Sequence, residues 1–371
     1  MTILAADTRQ QRVGDALSSA KPPRPKVLRP IVLIGAGGIA RAAHLPAYRK
    51  AGFPVLSVVD TDVAKARELA SQFQIPLATD SIHEALRQAP PERVIDVAVP
   101  APVLLQVLKQ VPDGSAVLLQ KPMGETLQEA RAILELCRQK GLTAAVNFQL
   151  RWAPVMLAAR ALATANLLGT VHDMEVRVSV HTPWELWTFL QTAPRLEILY
   201  HSIHYVDLVR AWFGDPVSVY AKTVRSPLAP AFAATKTTVI FDYGDWTRVC
   251  ISSNHSHKFG REMQCSSVQW EGTEGAAHAV MGVNLNYPVG EPDSLRFAYE
   301  KEGWLPLPTE GNWFPDAFIG SMGSLQAFVD GTTDDLPSSV ENAIGTMRVV
   351  EAAYMSSERG GISLQLPELR I

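Results

Sequence analysis

Cysteine is scarce in this sequence. Three occur in 371 residues, Cys137, Cys250 and Cys265, and none forms a CxxC pair or stands at metal-ligand spacing from a histidine. That excludes a disulfide framework and a small zinc module, and it suits buried thiols in a reducing cytoplasm. Long apolar runs are missing too. No window approaches the roughly eighteen uninterrupted apolar residues that a membrane span needs, so no membrane partner is expected. Charge is thin: 19% of residues are charged, the net charge is −3, and there is no basic run. Nucleic acid is therefore excluded as a main partner. The N-terminus lacks a basic segment followed by an apolar core, so a secretory leader is not expected and the cytoplasm is the expected compartment. Apolar residues, at 47%, are plentiful, and a chain of this length can bury the cores of two domains.

The richest stretch is Ile31-Val32-Leu33-Ile34-Gly35-Ala36-Gly37-Gly38-Ile39-Ala40. Four consecutive branched aliphatics read as a parallel strand buried on both faces. Gly35, Gly37 and Ala40 then fit G-x-G-x-x-G/A: a tight turn, a close approach of backbone to a pyrophosphate, and tight helix–strand packing. A helix beginning there would aim its free N–H groups and dipole at the phosphates. A second apolar strand, Val55–Val59, ends in Asp60, twenty residues after Ala40, where a carboxylate accepts hydrogen bonds from an adenosine ribose. Asp60 repels a 2′-phosphate, and neither Thr61 nor Asp62 offers the cation that NADP wants, so NAD is the expected cofactor over NADP.

From Pro30 to about Leu150 strand and helix patterns alternate, which predicts a doubly wound parallel sheet. The expected helices are Val63–Phe73, Ser81–Gln88, Leu104–Gln110 and Thr126–Lys140; the expected strands are Val94–Val99, Ala116–Leu119 and Leu142–Phe148. After Trp152 the character changes. A helix over Pro154–Leu168 precedes a long strand, Val171–Val180, a tryptophan-rich loop and a helix near 201–213. Strands follow at Ser218–Val224, Lys236–Asp242, Thr247–Ser253, Met263–Glu271 and Ala276–Met281, then helices at Phe318–Asp330 and Ser339–Ser357. This half reads as α+β with a large, mostly antiparallel open sheet. Expected boundaries are a flexible arm over 1–29, stiffened by Lys21-Pro22-Pro23-Arg24-Pro25, a dinucleotide-binding domain over 30–150, and a substrate and oligomerisation domain over 151–371 whose last helices pack back on the first.

Two places carry chemistry. Lys121-Pro122 follows the strand Val117–Gln120, and the carboxyl ends of parallel strands face the ligand crevice. Proline biases Lys121 to an extended backbone, aiming its ammonium toward the reactive end of a cofactor. The second is Tyr200-His201-Ser202-Ile203-His204-Tyr205-Val206-Asp207. On one regular helix Tyr200, His204 and Asp207 share a face at i, i+4 and i+7. His204 can titrate near neutrality, Asp207 can hold its tautomer, Tyr200 can bond a substrate hydroxyl, and His201 can touch substrate. Asn147, Gln149 and Arg151 follow the last parallel strand and are candidates for the substrate pocket. Trp184 and Trp187 could stack on the C–H face of a sugar. Asn254, His255 and His257 have no acid at suitable spacing, so no metal site is expected.

These motifs resemble the Gfo/Idh/MocA oxidoreductases, which include inositol dehydrogenase and glucose–fructose oxidoreductase. The resemblance runs from about Pro30 to the C-terminus. It rests on Gly35-Ala36-Gly37-Gly38-Ile39-Ala40, Asp60, Gln120-Lys121-Pro122-Met123-Gly124, His204-x-x-Asp207 and the closing helix around Glu351-Ala352-Ala353. It implies a Rossmann domain paired with an open-sheet domain, a sugar, polyol or related carbohydrate as substrate, and a homodimer or homotetramer. It implies that Val99, Pro100 and Gln120 join the glycine turn around the cofactor, that Lys121 contacts substrate beside the nicotinamide, and that His204 is the acid/base. The sequence departs from the family where Tyr200 replaces an aspartate, Ser202 a glycine, Gln120 the glutamate of E-K-P, and Val99-Pro100-Ala101 the usual Thr-Pro-Asn. Losing the aspartate removes the customary partner of the histidine, so Tyr200 or Lys121 could take a larger share of proton transfer. A simple dehydrogenase is the expected activity. The alternatives are an enzyme that retains and recycles NAD for epimerisation, elimination or glycoside cleavage, and a non-catalytic sugar sensor.

Overall fold

The structure is a computed structural model and describes residues 2–287, 289–299 and 302–361. Helix α1 (Thr2–Ser19) opens it. The elements β1 (Ile31–Ile34), α2 (Leu45–Ala51), β2 (Val55–Val59), α3 (Val63–Phe73), β3 (Leu77–Thr79), α4 (Ile82–Gln88), β4 (Val94–Val97), α5 (Ala101–Gln110), β5 (Ala116–Leu119), α6 (Leu127–Gln139) and β6 (Thr143–Val146) then build a six-stranded parallel sheet, in the order β3-β2-β1-β4-β5-β6. Strands β1, β4 and β5 are buried at every position, as a sheet covered by helices on both faces requires. Local signals place the helix starts. Ser81 accepts from the Glu84 N–H at 3.2 Å, and Thr126 accepts from the Glu129 N–H at 3.1 Å, each satisfying a free donor of the first turn.

Helix α7 (Pro154–Thr164) leads into β7 (Val171–Ser179) and, after an irregular stretch, α8 (Ile203–Phe213). Strands β8 (Ser218–Val224), β9 (Lys236–Asp242), β10 (Arg248–Asn254), β11 (Cys265–Gly272), β12 (Ala276–Val280), β13 (Ser294–Ala298) and β14 (Trp304–Leu307) complete an eight-stranded sheet, ordered β14-β13-β12-β11-β7-β10-β9-β8. Among its described pairings only β7 with β10 is parallel. Burial alternates along β9 and β10, the pattern of a sheet with one covered and one open face. Helices α9 (Ala317–Val329) and α10 (Val340–Arg359) close the chain. Helix α9 lies against β5, β6 and α2, and α10 against α6 and β8, so both closing helices touch elements of the parallel-sheet half.

The N-terminal segment differs from the expected flexible arm. Helix α1 packs on α7, with Ala16 buried and the Arg12 guanidinium donating to the Ala165 carbonyl at 2.7 Å. The stretch that follows is tied to α9: the Val27 N–H donates to Asp330 at 3.0 Å and the Arg29 N–H to Gln326 at 2.8 Å. The apolar face of α1 finds a partner that composition alone does not disclose.

Candidate active site

The glycine turn joins β1 to a helix wound as a π-helix over Ala40–His44 before continuing as α2. Gly35 has φ +108° and a Cβ there would stand 2.3 Å from the Ala98 carbonyl oxygen, whereas Cβ atoms on Gly37 and Gly38 would meet nothing within 4 Å. Gly35 is thus glycine for conformation and closeness, and Gly37 and Gly38 leave the backbone open to a bulky anion. Asp60 braces this turn: one carboxylate oxygen accepts from the Ala36 N–H at 2.8 Å and the other from the Asp62 N–H at 2.9 Å. Each oxygen keeps a second lone pair for a ribose hydroxyl. The residues present fit a dinucleotide: Gly35, Ala36, Gly37, Gly38 and Ile39 would cradle its pyrophosphate and Asp60 its ribose. Val99 and Pro100 edge the same cleft, where Val99 neighbours Gly35 and Pro100 caps α5.

Lys121 follows β5, and its peptide bond to Pro122 is cis. Its ammonium donates to the Tyr200 carbonyl at 2.7 Å across the domain boundary. Burial lowers its pKa from 10.5 to about 8. His204, on α8, is 5% exposed, packs edge-on against Trp313 with ring centroids 5.5 Å apart, and has a sealed Nδ1 without a hydrogen-bond partner. Burial first, then the nearby Lys121 ammonium, then His201, push its pKa well below 6.5, so the imidazole is neutral at physiological pH. The Lys121 ammonium therefore acts on the His204 ring from the other domain.

The expected face of Tyr200, His204 and Asp207 is not formed. Residues Glu197–Ser202 are π-wound, which breaks the 3.6-residue period on which that face depended. The Tyr200 phenol donates to Glu125 at 2.6 Å, and burial together with Glu125 raises its pKa strongly. Asp207 does not orient His204. It takes both arms of Arg151, Nε at 2.5 Å and Nη2 at 2.7 Å, and a hydroxyl from Thr346 at 3.0 Å. Arg151, expected in the substrate pocket, is used up in this buried fork and in a bond to the Pro337 carbonyl at 2.9 Å. Asn147 is fully buried and bonded to Gln120 at 3.1 Å. Gln120 also receives the Lys121 N–H at 3.3 Å, so both amides sit behind the lysine as support.

Sequence reasoning passed over Glu197, Glu125 and Trp313, and discounted His255. Glu197 is sealed beneath the site, 3.2 Å from the Nε2 of His255 and 3.7 Å from the Nδ1 of His201. Burial alone would raise its pKa, but the two imidazoles beside it prevail and hold the carboxyl well below the usual range. Burial and His255 lower His201 to about 4 against the opposing pull of Glu197. The i, i+4 spacing of Glu197 and His201 was a signal in the sequence. Their union with His255, which follows β10, was not. The Trp184 ring is tilted against His255, with centroids 5.1 Å apart, and against Trp187, at 6.2 Å; Trp184 is 5% exposed, which makes it a wall more than an open platform.

A glycine turn open to a pyrophosphate, an acid for the ribose, and a buried lysine anchored beside the helix that carries a buried histidine are the marks of a nicotinamide-dependent oxidoreductase. Two family signatures match the chain: one described as "Oxidoreductase family, NAD-binding Rossmann fold" over residues 29–148, the other as "GFO/IDH/MocA C-terminal domain" over residues 156–278. The chain belongs to the Gfo/Idh/MocA oxidoreductase family, and the resemblance read from its motifs is borne out. It is 26% identical to a D-apiose dehydrogenase of Paraburkholderia graminis over 88% of this chain and 87% of that one. It is 23% identical to a D-xylose 1-dehydrogenase (NADP(+)) of Haloferax volcanii, over 88% and 97%. Among solved structures, an oxidoreductase from Agrobacterium radiobacter in complex with NAD+, L-tartaric acid and magnesium superposes with a TM-score of 0.74 at 17% identity, over 90% of this chain and 98% of that one. No described helix is long and apolar enough to cross a membrane.

Proposed function

We propose that this protein is an NAD-dependent sugar or polyol dehydrogenase acting on a secondary carbinol or hemiacetal carbon. The observation that carries the reading is the Lys121 ammonium, anchored on the Tyr200 carbonyl and acting on the buried His204 four residues further along. The apiose and xylose dehydrogenases among the relatives support a carbohydrate substrate. Bound NAD supplies a hydride acceptor. The chain's own groups do the rest. His204, unprotonated at neutral pH, takes the proton of the reacting hydroxyl, and the Lys121 ammonium stabilises the negative charge that develops on that oxygen. The two domains hold the substrate carbon in place, which supplies proximity and orientation. Tyr200 contributes its carbonyl to the placement of Lys121, and Asp207 with Arg151 fixes α8 against α10. Trp184 and Trp187 form one wall of the substrate space, and His201 borders it.

NAD is preferred over NADP because Asp60 crowds a 2′-phosphate and no cation replaces it at Thr61 or Asp62. The open sheet face displays Tyr220, Ile240 and Val224, with Trp246 at the adjoining turn, all exposed. A face so apolar supports a homodimer or homotetramer, and the three free cysteines support a cytoplasmic setting.

A panel of aldoses, polyols and sugar acids with NAD+ and with NADP+, followed by the absorbance of the reduced nicotinamide, tests this. Turnover is expected with NAD+ and at least one sugar or polyol, and Lys121→Ala and His204→Ala should each abolish most of it. If neither substitution alters turnover of a good substrate, the proposed roles are wrong.

A further inference from the structure

Glu197 and His201 stand one turn apart in the π-wound segment, and His255 follows β10. One ligand atom from each lies within 4.8 Å of the other two. The Nε2 of His255 is 3.2 Å from the Glu197 carboxylate, and the Nδ1 of His201 is 3.7 Å from it. A tetrahedral zinc with bonds of about 2.0–2.1 Å has ligand–ligand edges of about 3.4 Å, which these two separations bracket. From these atoms we propose that Glu197, His201 and His255 form a binding site for one divalent transition metal of the zinc type.

Three further observations support the site. First, the Glu197 Oε2 and the His201 Nδ1 are both sealed from solvent with no hydrogen-bond partner. Leaving such atoms unmade is costly in a protein interior; a cation held at the Glu197 Oε1 satisfies the His201 Nδ1, and a bidentate carboxylate brings in Oε2. Second, the hydroxyl of Thr182 lies 2.8 Å from the Nδ1 of His255. That contact on the remote nitrogen fixes the ring with Nε2 toward Glu197, the arrangement by which metal-ligating histidines are oriented. Third, the set is two imidazoles and one carboxylate, borderline donors that suit zinc and cobalt rather than magnesium or calcium. Glu197 and His255 are fully buried, while the His201 side chain is 14% exposed. Entry and a fourth ligand, water or a substrate oxygen, therefore come from the His201 side.

The competing description is a metal-free network in which the carboxylate merely accepts from His255 and from the Ser202 hydroxyl, the latter at 2.6 Å. The full chain, stripped by chelator, should separate the two. It is incubated with zinc or cobalt chloride, desalted, and its metal counted by plasma emission, with the cobalt form read by visible absorption. The proposal expects one metal per chain, the d–d bands of low-coordinate cobalt, and loss of both in His201→Gln and His255→Gln. Thr182→Val should weaken binding by about 10–100-fold. Glu197→Gln also belongs in the series, but the histidine variants and wild type decide the matter if it does not fold. Wild type that retains no metal, or histidine variants that retain as much as wild type, would overturn the site. The readout is metal content, so the outcome is independent of which sugar the enzyme oxidises.

Discussion

Replacing Lys121 by methionine should make the protein more stable and nearly inactive. The ammonium is held in a site that lowers its pKa from 10.5 to about 8. The gap corresponds to about 3 kcal/mol of penalty for the charged form. That is an upper bound, because the residue keeps partial solvent contact and the substitution gives up the bond to the Tyr200 carbonyl, worth about 1.5 kcal/mol for a charged donor. A net gain of about 1–2 kcal/mol at pH 7 remains. Its pH dependence has a definite sign. The folded-state pKa lies below the unfolded one, so between about 8 and 10.5 the unfolded wild type binds more protons, and wild-type stability rises with pH. The penalty is complete below about 8 and gone above about 10.5. Urea unfolding of both proteins from pH 7 to pH 10 should show the methionine variant ahead at pH 7 and the lead shrinking toward pH 10. Its kcat should fall by about 10²–10³, the loss typical of removing one charge stabiliser at a reacting oxygen. A variant less stable than wild type at pH 7, or a difference constant with pH, would refute the burial of that charge.

Asp60→Ala should raise the KM for NAD+ at least about tenfold, the cost of a lost charge-assisted pair of bonds, and should shift preference toward NADP+; steady-state kinetics with both cofactors measures it. Arg151→Met should destabilise by about 3–5 kcal/mol, because it strands the buried Asp207 carboxylate, and the double variant with Asp207→Leu should recover much of the loss. Thermal unfolding of the two proteins distinguishes this structural role from a substrate contact. Tyr200→Phe should leave kcat within about threefold of wild type while costing about 1 kcal/mol through the lost bond to Glu125; a fall of a hundredfold would return the phenol to the chemistry.

The parallel half of the fold was legible residue by residue because its signals are local. Val63–Phe73 forms as its period predicts, and Ser81 and Thr126 cap their helices through their own side chains. The antiparallel half was legible through β12. Strands β13 and β14 were missed because Ser294–Ala298 and Trp304–Leu307 are only five and four residues long, and Pro306 interrupts the second, which forms the sheet edge. Lys121 at a strand end and His204 on a helix could be read locally, but not the loss of the face that His204 was expected to share with Tyr200. Nor could the partners of the flanking residues be read so. Arg151 and Asp207 are 56 positions apart, and nothing local shows that each is already engaged. The same limit hid Glu197 with His255, where burial and tertiary contact, not spacing, bring the groups together. The π-wound turn is the sharpest case: one extra residue per turn redirected Tyr200 from the reacting face to Glu125.

A substrate found in the sugar panel, deuterated at the carbon to be oxidised, gives the most direct test of the account. After one turnover with NAD+, mass spectrometry of the reduced nicotinamide should find the deuterium on its ring, and the rate of that step should fall severalfold relative to the protiated substrate. Deuterium recovered in solvent water, with none on the nicotinamide, would contradict direct transfer between a carbon held by Lys121 and His204 and the cofactor on the glycine turn.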